Sequence, residues 1–309
     1  MPKQISLNDV IDNKDITDSS KKLYKANFVR LNDGNPVTDF KFLFNVENIK
    51  SKLEKFKPNT QRNYIIAITS LLHDLTKVYP KKYESLYNDY FKILTDYNKA
   101  LKDQTEKTTN EKANWITEEQ KAAVIADCEK IITEIGNKKK VTEEQYDRLL
   151  DCVVLSLYTK IAPRRNLDFQ FMKVVKAYDP AFGIETNYLD TTAKKFIFNR
   201  YKTKGAYKQQ VVDIPDDLWK IITLYLKVKP KVETNDFLTN FAGEPFVQNN
   251  SITRILNKIF GQKVAVSMLR KTYLTNKYSE VLADLKQDAT SMGTSVDTAK
   301  NNYIKDIGV

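Results

Sequence analysis

The amino-acid sequence predicts a mainly α-helical protein with one small three-stranded antiparallel β-sheet, divided into two domains. Three observations lead there. Only 8 of the 309 residues are glycine, so long stretches keep an unbroken apolar spacing of three and four, the helical period. Between residues 171 and 214 the pattern changes to short runs of Val, Phe, Ile and Tyr, which favour strands. Residues 102–114 have almost no apolar side chains, the composition of a linker.

Residues 1–101 form the first domain in this reading. Its first 14 or so residues are polar and read as loose. A helix follows from Ser19 to Leu31, with Leu23, Phe28 and Leu31 as its apolar stripe. The next runs from Val46 to Phe56, and Pro58-Asn59-Thr60 stops and restarts the chain. Helices from Gln61 to Val78 and from Tyr83 to Leu101 complete a four-helix domain. The second domain covers residues 115–309. Thr117-x-x-Gln120 and Thr142-x-x-Gln145 are capping boxes that open two helices, the second leading to Pro163-Arg164-Arg165. Strands are expected over Phe171–Tyr178, Lys194–Lys202 and Gln209–Ile214, with Lys204-Gly205-Ala206-Tyr207 as a hairpin turn. Further helices start at Pro215 and Ser251, and two more cover Ser267–Tyr278 and Glu280–Asp288. A last short one carries Tyr303.

Composition narrows the function. A net charge of +11 favours a polyanionic partner, because Lys and Arg that meet phosphates release condensed counterions. A single histidine, His73, argues against His-based metal sites and triads; its helical position reads as surface. Cys128 and Cys152 sit in apolar helical patterns and read as reduced core residues. No apolar run approaches the ~20 residues of a membrane span, and Met1-Pro2-Lys3-Gln4 lacks the apolar core of a signal peptide. An intracellular protein is expected.

The residues that carry chemistry lie in the second domain. Met292-Gly293-Thr294-Ser295 is a tight turn, and Tyr303 follows in a short helical run. Arg270 lies in Ser267-Met268-Leu269-Arg270 at a helix start, and Arg165 precedes Asp168 by three positions. Two dispersed arginines and a late tyrosine suit metal-free attack on a DNA phosphate. The guanidinium groups neutralise the phosphoryl oxygens while the phenolic oxygen makes the covalent bond.

In this order the residues resemble the boxes of the tyrosine recombinases, a family related to the type IB topoisomerases. Gly293, Ser295 and Tyr303 keep the register of the family's terminal Leu-Gly-His-Ser…Tyr box. Ser267-Met268-Leu269-Arg270 resembles its His-x-Leu-Arg box, and Arg165-x-x-Asp168 its Arg-x-x-Glu box. Lys202, after the strand ending Arg200-Tyr201, takes the place of its hairpin lysine. Two positions depart: Ser267 and Thr294 stand where the family has histidine, and histidine or tryptophan. Serine and threonine donate hydrogen bonds but do not buffer a proton near neutral pH.

The resemblance implies a two-domain clamp on double-stranded DNA, a helical core-binding domain followed by the catalytic domain. It implies cleavage and rejoining through a 3′-phosphotyrosine, in recombination or integration, with no cofactor and no metal. Tyr303 is then the nucleophile, Arg165 and Arg270 stabilise the transition state, and Lys202 protonates the leaving oxygen. Asp168 steadies Arg165, while Arg164 and Lys204 contact DNA. A homotetramer on paired sites is the implied assembly, in a prokaryotic cytoplasm or, for a virus or mobile element, in the host cell or nucleus. Two other readings stay open: a monomer relaxing DNA as a type IB topoisomerase does, and a DNA-binding protein that has lost the chemistry.

Overall fold

The computed structural model describes residues 6–102, 106–138 and 140–305. Chain contacts divide it into two compact units, with the boundary between Glu106 and Lys107.

In the first unit, α1 (Leu7–Asp12) replaces the expected loose N-terminus among the described residues. Ser6 and Asp9 cap each other reciprocally, and Leu7 and Ile11 are buried, so a short amphipathic turn is held at its start and by its apolar face. Helix α2 (Asp18–Leu31) starts at the Thr17 cap. It buries Phe28 and Leu31 of the expected stripe together with Asn27, whereas Leu23 is exposed. Helices α3 (Val46–Glu54), α4 (Pro58–Val78) and α5 (Pro80–Lys102) follow. Pro58 sits at the first position of α4, where its missing N–H costs nothing. Ile65, Ile68, Leu71, Leu72 and Leu75 of α4 are buried, each such side chain contributing roughly 2 kcal/mol on leaving water. Tyr90 of α5 donates to the Leu43 carbonyl at 2.8 Å, in the 3-10 turn Lys41–Phe44.

The second unit begins inside the expected linker. Thr108 and Glu111 form a capping box that opens α6 (Thr109–Ala113), and the Glu111 carboxylate pairs with Lys271. Segment 102–114 thus holds a helical turn fastened by polar contacts, which its apolar content could not reveal. Helices α7 (Glu118–Gly136) and α8 (Glu143–Thr159) start at the Thr117 and Thr142 boxes. From Cys152 to Tyr158 every residue of α8 is buried, since α7, α11 (Asp216–Val228) and α12 (Ser251–Phe260) all pack on it. Cys128 and Cys152 are free and buried. After the short α9 (Asn166–Gln170) comes the sheet.

That sheet is four-stranded and mixed, correcting the expected three antiparallel strands. Its order is β1 (Lys173–Val175), β2 (Tyr188–Asp190), β3 (Lys195–Phe198), β4 (Gln210–Asp213). β1 and β2 run parallel, pairing Lys173 with Tyr188, and the other neighbours are antiparallel. Three residues, Tyr188-Leu189-Asp190, are too few to display a two-residue period, so β2 had no signature. The β3–β4 connection is also longer than a tight turn. It contains α10 (Lys204–Tyr207), and Tyr201 closes it by donating to the Lys208 carbonyl at 2.5 Å.

One helix, α13 (Val266–Ser291), replaces the two expected after residue 266. No glycine or proline interrupts it. Its first turns bury Val266, Met268, Leu269 and Thr272; beyond them only Ala289 is buried. Leu274, Tyr278, Val281 and Leu282 are exposed.

Candidate active site

Three of the cationic candidates lie near in sequence to residues of one core. Phe169, Tyr201 and Leu269 belong to a single buried cluster, and they lie close in sequence to Arg165, Lys202 and Arg270. Arg165 occupies the N-cap position of α9 and its carbonyl accepts from the Asp168 N–H at 3.0 Å. Asn166 donates to Thr253 of α12 at 2.8 Å, which pins this loop beside the helix preceding α13. Arg270 lies in the second turn of α13, half-buried. Lys202 is exposed in the β3–β4 connection. The side chains of these three residues make no hydrogen bond or ion pair with another described residue.

Asp168 has a different partner from the expected one. Its Oδ2 accepts from Arg164 Nε at 2.9 Å, and the Arg165 side chain makes no such bond. Arg164 also donates to Gln210 Oε1 at 2.8 Å. Its guanidinium carbon lies 3.7 Å from the Phe198 ring centre and 5.2 Å from that of Tyr201. With two of its donors engaged and one face stacked, Arg164 packs against the protein. Burial pushes the Asp168 carboxyl above the ordinary range, opposed by the Arg164 charge and hydrogen bond and by the Arg165 charge. Lys204, the other expected DNA contact, lies 3.7 Å from Glu185.

Asn187 is a support that the sequence did not betray. Buried, it donates to the carbonyls of Asp168 and Arg200, both at 2.9 Å, and accepts from the N–H groups of Asn199 and Arg200. It thereby ties the start of the Lys202 connection to the Arg165 loop. A lone asparagine between strands carries no periodic or motif signal, and neither does Gln210.

The tyrosine box is built by helix-end chemistry. Gly293 has φ 67°, its N–H bonds to the Thr290 carbonyl, and that of Thr294 bonds to Ala289. This is the pair of bonds that closes a helix through a left-handed glycine. Ser295 then accepts from the Thr298 N–H at 3.0 Å and opens α14 (Val296–Thr298), followed by a π-type turn over Ala299–Tyr303. Glycine and serine at these positions therefore have a local structural cause as well as a place in the motif. Tyr303 is 60% exposed. Ser267 is exposed in the first turn of α13, and Thr294 is half-buried.

From Arg270 to Ser291 the helix rises roughly 30 Å, and the turn at Gly293 and the short run 296–303 follow its C-terminal end. Tyr303 makes no hydrogen bond or ring contact with another described side chain.

Searches of the sequence against protein-family models and against curated proteins return no match. Among the described residues no helix is long and apolar enough to cross a membrane.

Proposed function

We propose that this protein cleaves and rejoins double-stranded DNA through a 3′-phosphotyrosine, as a tyrosine recombinase does. One observation carries the reading: the side chains of Arg165, Lys202 and Arg270, each close in sequence to a member of one buried cluster, make no hydrogen bond or ion pair with a described residue. Guanidinium groups with donors left available are suited to an oxyanion that bears more charge in the transition state than in the ground state.

In the proposed step the Tyr303 hydroxyl gives its proton to solvent and its oxygen bonds to phosphorus. The bond from phosphorus to the 5′ oxygen breaks, and that oxygen leaves with the electron pair and takes a proton from Lys202. Attack by a 5′ hydroxyl reverses the linkage, so the phosphodiester count is conserved and no nucleotide cofactor is consumed. Solvent as the first proton acceptor follows from Ser267 and Thr294, whose hydroxyls are poor bases near neutral pH. Tyr303 is exposed at the end of the chain segment that follows α13, and it acts on the site of a second copy.

The test is a nicked duplex from which the cleaved end diffuses away. An SDS-resistant protein–DNA adduct is expected with the wild-type chain, and Tyr303→Phe should abolish it while DNA binding persists. Binding without any adduct would leave a DNA-binding protein on this scaffold. Relaxation of supercoiled plasmid by a monomer would instead favour topoisomerase-like action over strand exchange.

A further inference from the structure

The Arg164 guanidinium joins two segments far apart in sequence. One edge grips Asp168, at the start of α9, at 2.9 Å, and another donor reaches Gln210, the first residue of β4, at 2.8 Å. Its flat face lies on Phe198, the last residue of β3, and near Tyr201. The loop carrying Arg165 and the connection carrying Lys202 are thus held through one side chain, itself only 17% exposed. A planar cation with donors on two edges is well suited to this, and a lysine is not.

We propose that Arg164 is a positioning residue that sets Lys202 relative to Arg165, with Gln210 as the detachable side of the joint. Resting on the strand-cleavage reading above, this concerns how that site is assembled. Lys202 is exposed and has no described side-chain partner of its own. Its place depends on the backbone on either side. Asn187 bonds that backbone at Asn199 and Arg200, and Arg164 holds the side chains of Phe198, Tyr201 and Gln210 on either side of it. Freeing the β4 side lets the ammonium drift from the leaving oxygen while the two catalytic arginines keep their places.

The experiment compares cleavage of an ordinary DNA strand with one bearing a 5′-bridging sulfur at the scissile phosphate. A thiolate leaves without needing a proton, so this substrate bypasses Lys202. Gln210→Met, nearly isosteric at a half-exposed strand position, should slow cleavage of the ordinary strand about tenfold or more. On the sulfur strand it should match wild type, as Lys202→Ala should. Gln210→Glu, which keeps an acceptor toward Arg164, should stay within a few-fold of wild type on both strands. Amide exchange across residues 199–209 should quicken in Gln210→Met alone.

Equal slowing on both strands, or no slowing and no change in exchange, overturns the proposal. Wild-type protein that cleaves neither strand removes the strand-cleavage reading itself and this role with it, an outcome recognisable from the wild-type control alone.

Discussion

Arg164 and Asp168 form a nearly enclosed ion pair across one helical turn, Nε to Oδ2 at 2.9 Å, with the Asp168 side chain only 3% exposed. Removing one partner of such a pair strands the other charge in a poorly solvated place. Asp168→Ala should therefore destabilise the second unit by about 3 kcal/mol, seen as a lower urea midpoint with unchanged slope. Asp168→Asn, which still accepts a hydrogen bond, should lose less. Equal stability of all three proteins would show that the pair is as well solvated apart as together.

The long α13 yields a second prediction. Because roughly 30 Å of helix separates Arg270 from the turn that precedes Tyr303, mixing two inactive variants, Tyr303→Phe and Arg270→Ala, should restore adduct formation. With chains of different length, the adduct should appear on the Arg270→Ala chain, which supplies the intact phenol to a site on the other. A mixture as inactive as its components would mean that the arm returns to its own site.

Gly293 offers a purely local test. An added Cβ would meet nothing within 4 Å, but φ is +67°. Gly293→Ala should thus cost only the left-handed backbone strain, about 1 kcal/mol. Faster amide exchange confined to the end of α13 and to α14 would report it, with the remainder of the chain unchanged.

A pH prediction follows from α6. The Lys271 hydrogen bond, aided by the Thr108 backbone N–H, holds the Glu111 carboxyl down to about 2 from 4.5. A carboxyl depressed on folding contributes stability that is fully present above its unfolded value. That stability is lost as pH falls from 4.5 toward about 2. Acidification through that window should loosen α6 from α13, read by amide exchange over 109–113. Glu111→Gln should flatten the response; a variant that keeps the full pH dependence would move its origin elsewhere.

Some of this protein was legible because its causes are local. Thr117 with Gln120 and Thr142 with Gln145 cap α7 and α8 through bonds spanning three residues. Such bonds can be read in a short window. The same logic applied to Thr108 and Glu111, but apolar content misled there, because α6 is fastened by an ion pair 160 residues away. β2 was missed for being three residues long. The break expected near Ser279 in α13 had no glycine or proline to enforce it. The candidate cations were read from motif order, whereas their geometry was not. Whether Arg164 or Arg165 takes Asp168 depends on Gln210 and Phe198 across the sheet, which spacing along the chain cannot express.

Residue order by itself determined the mainly helical character, most helix starts, the basic charge and the succession Arg165, Lys202, Arg270, Tyr303, since each follows from neighbours within a few positions. Only the tertiary structure decided the parallel β1–β2 pairing, the inward turn of Arg164 and the single unbroken α13. Those depend on which distant surfaces pack together, and that is not encoded within any one turn of the chain.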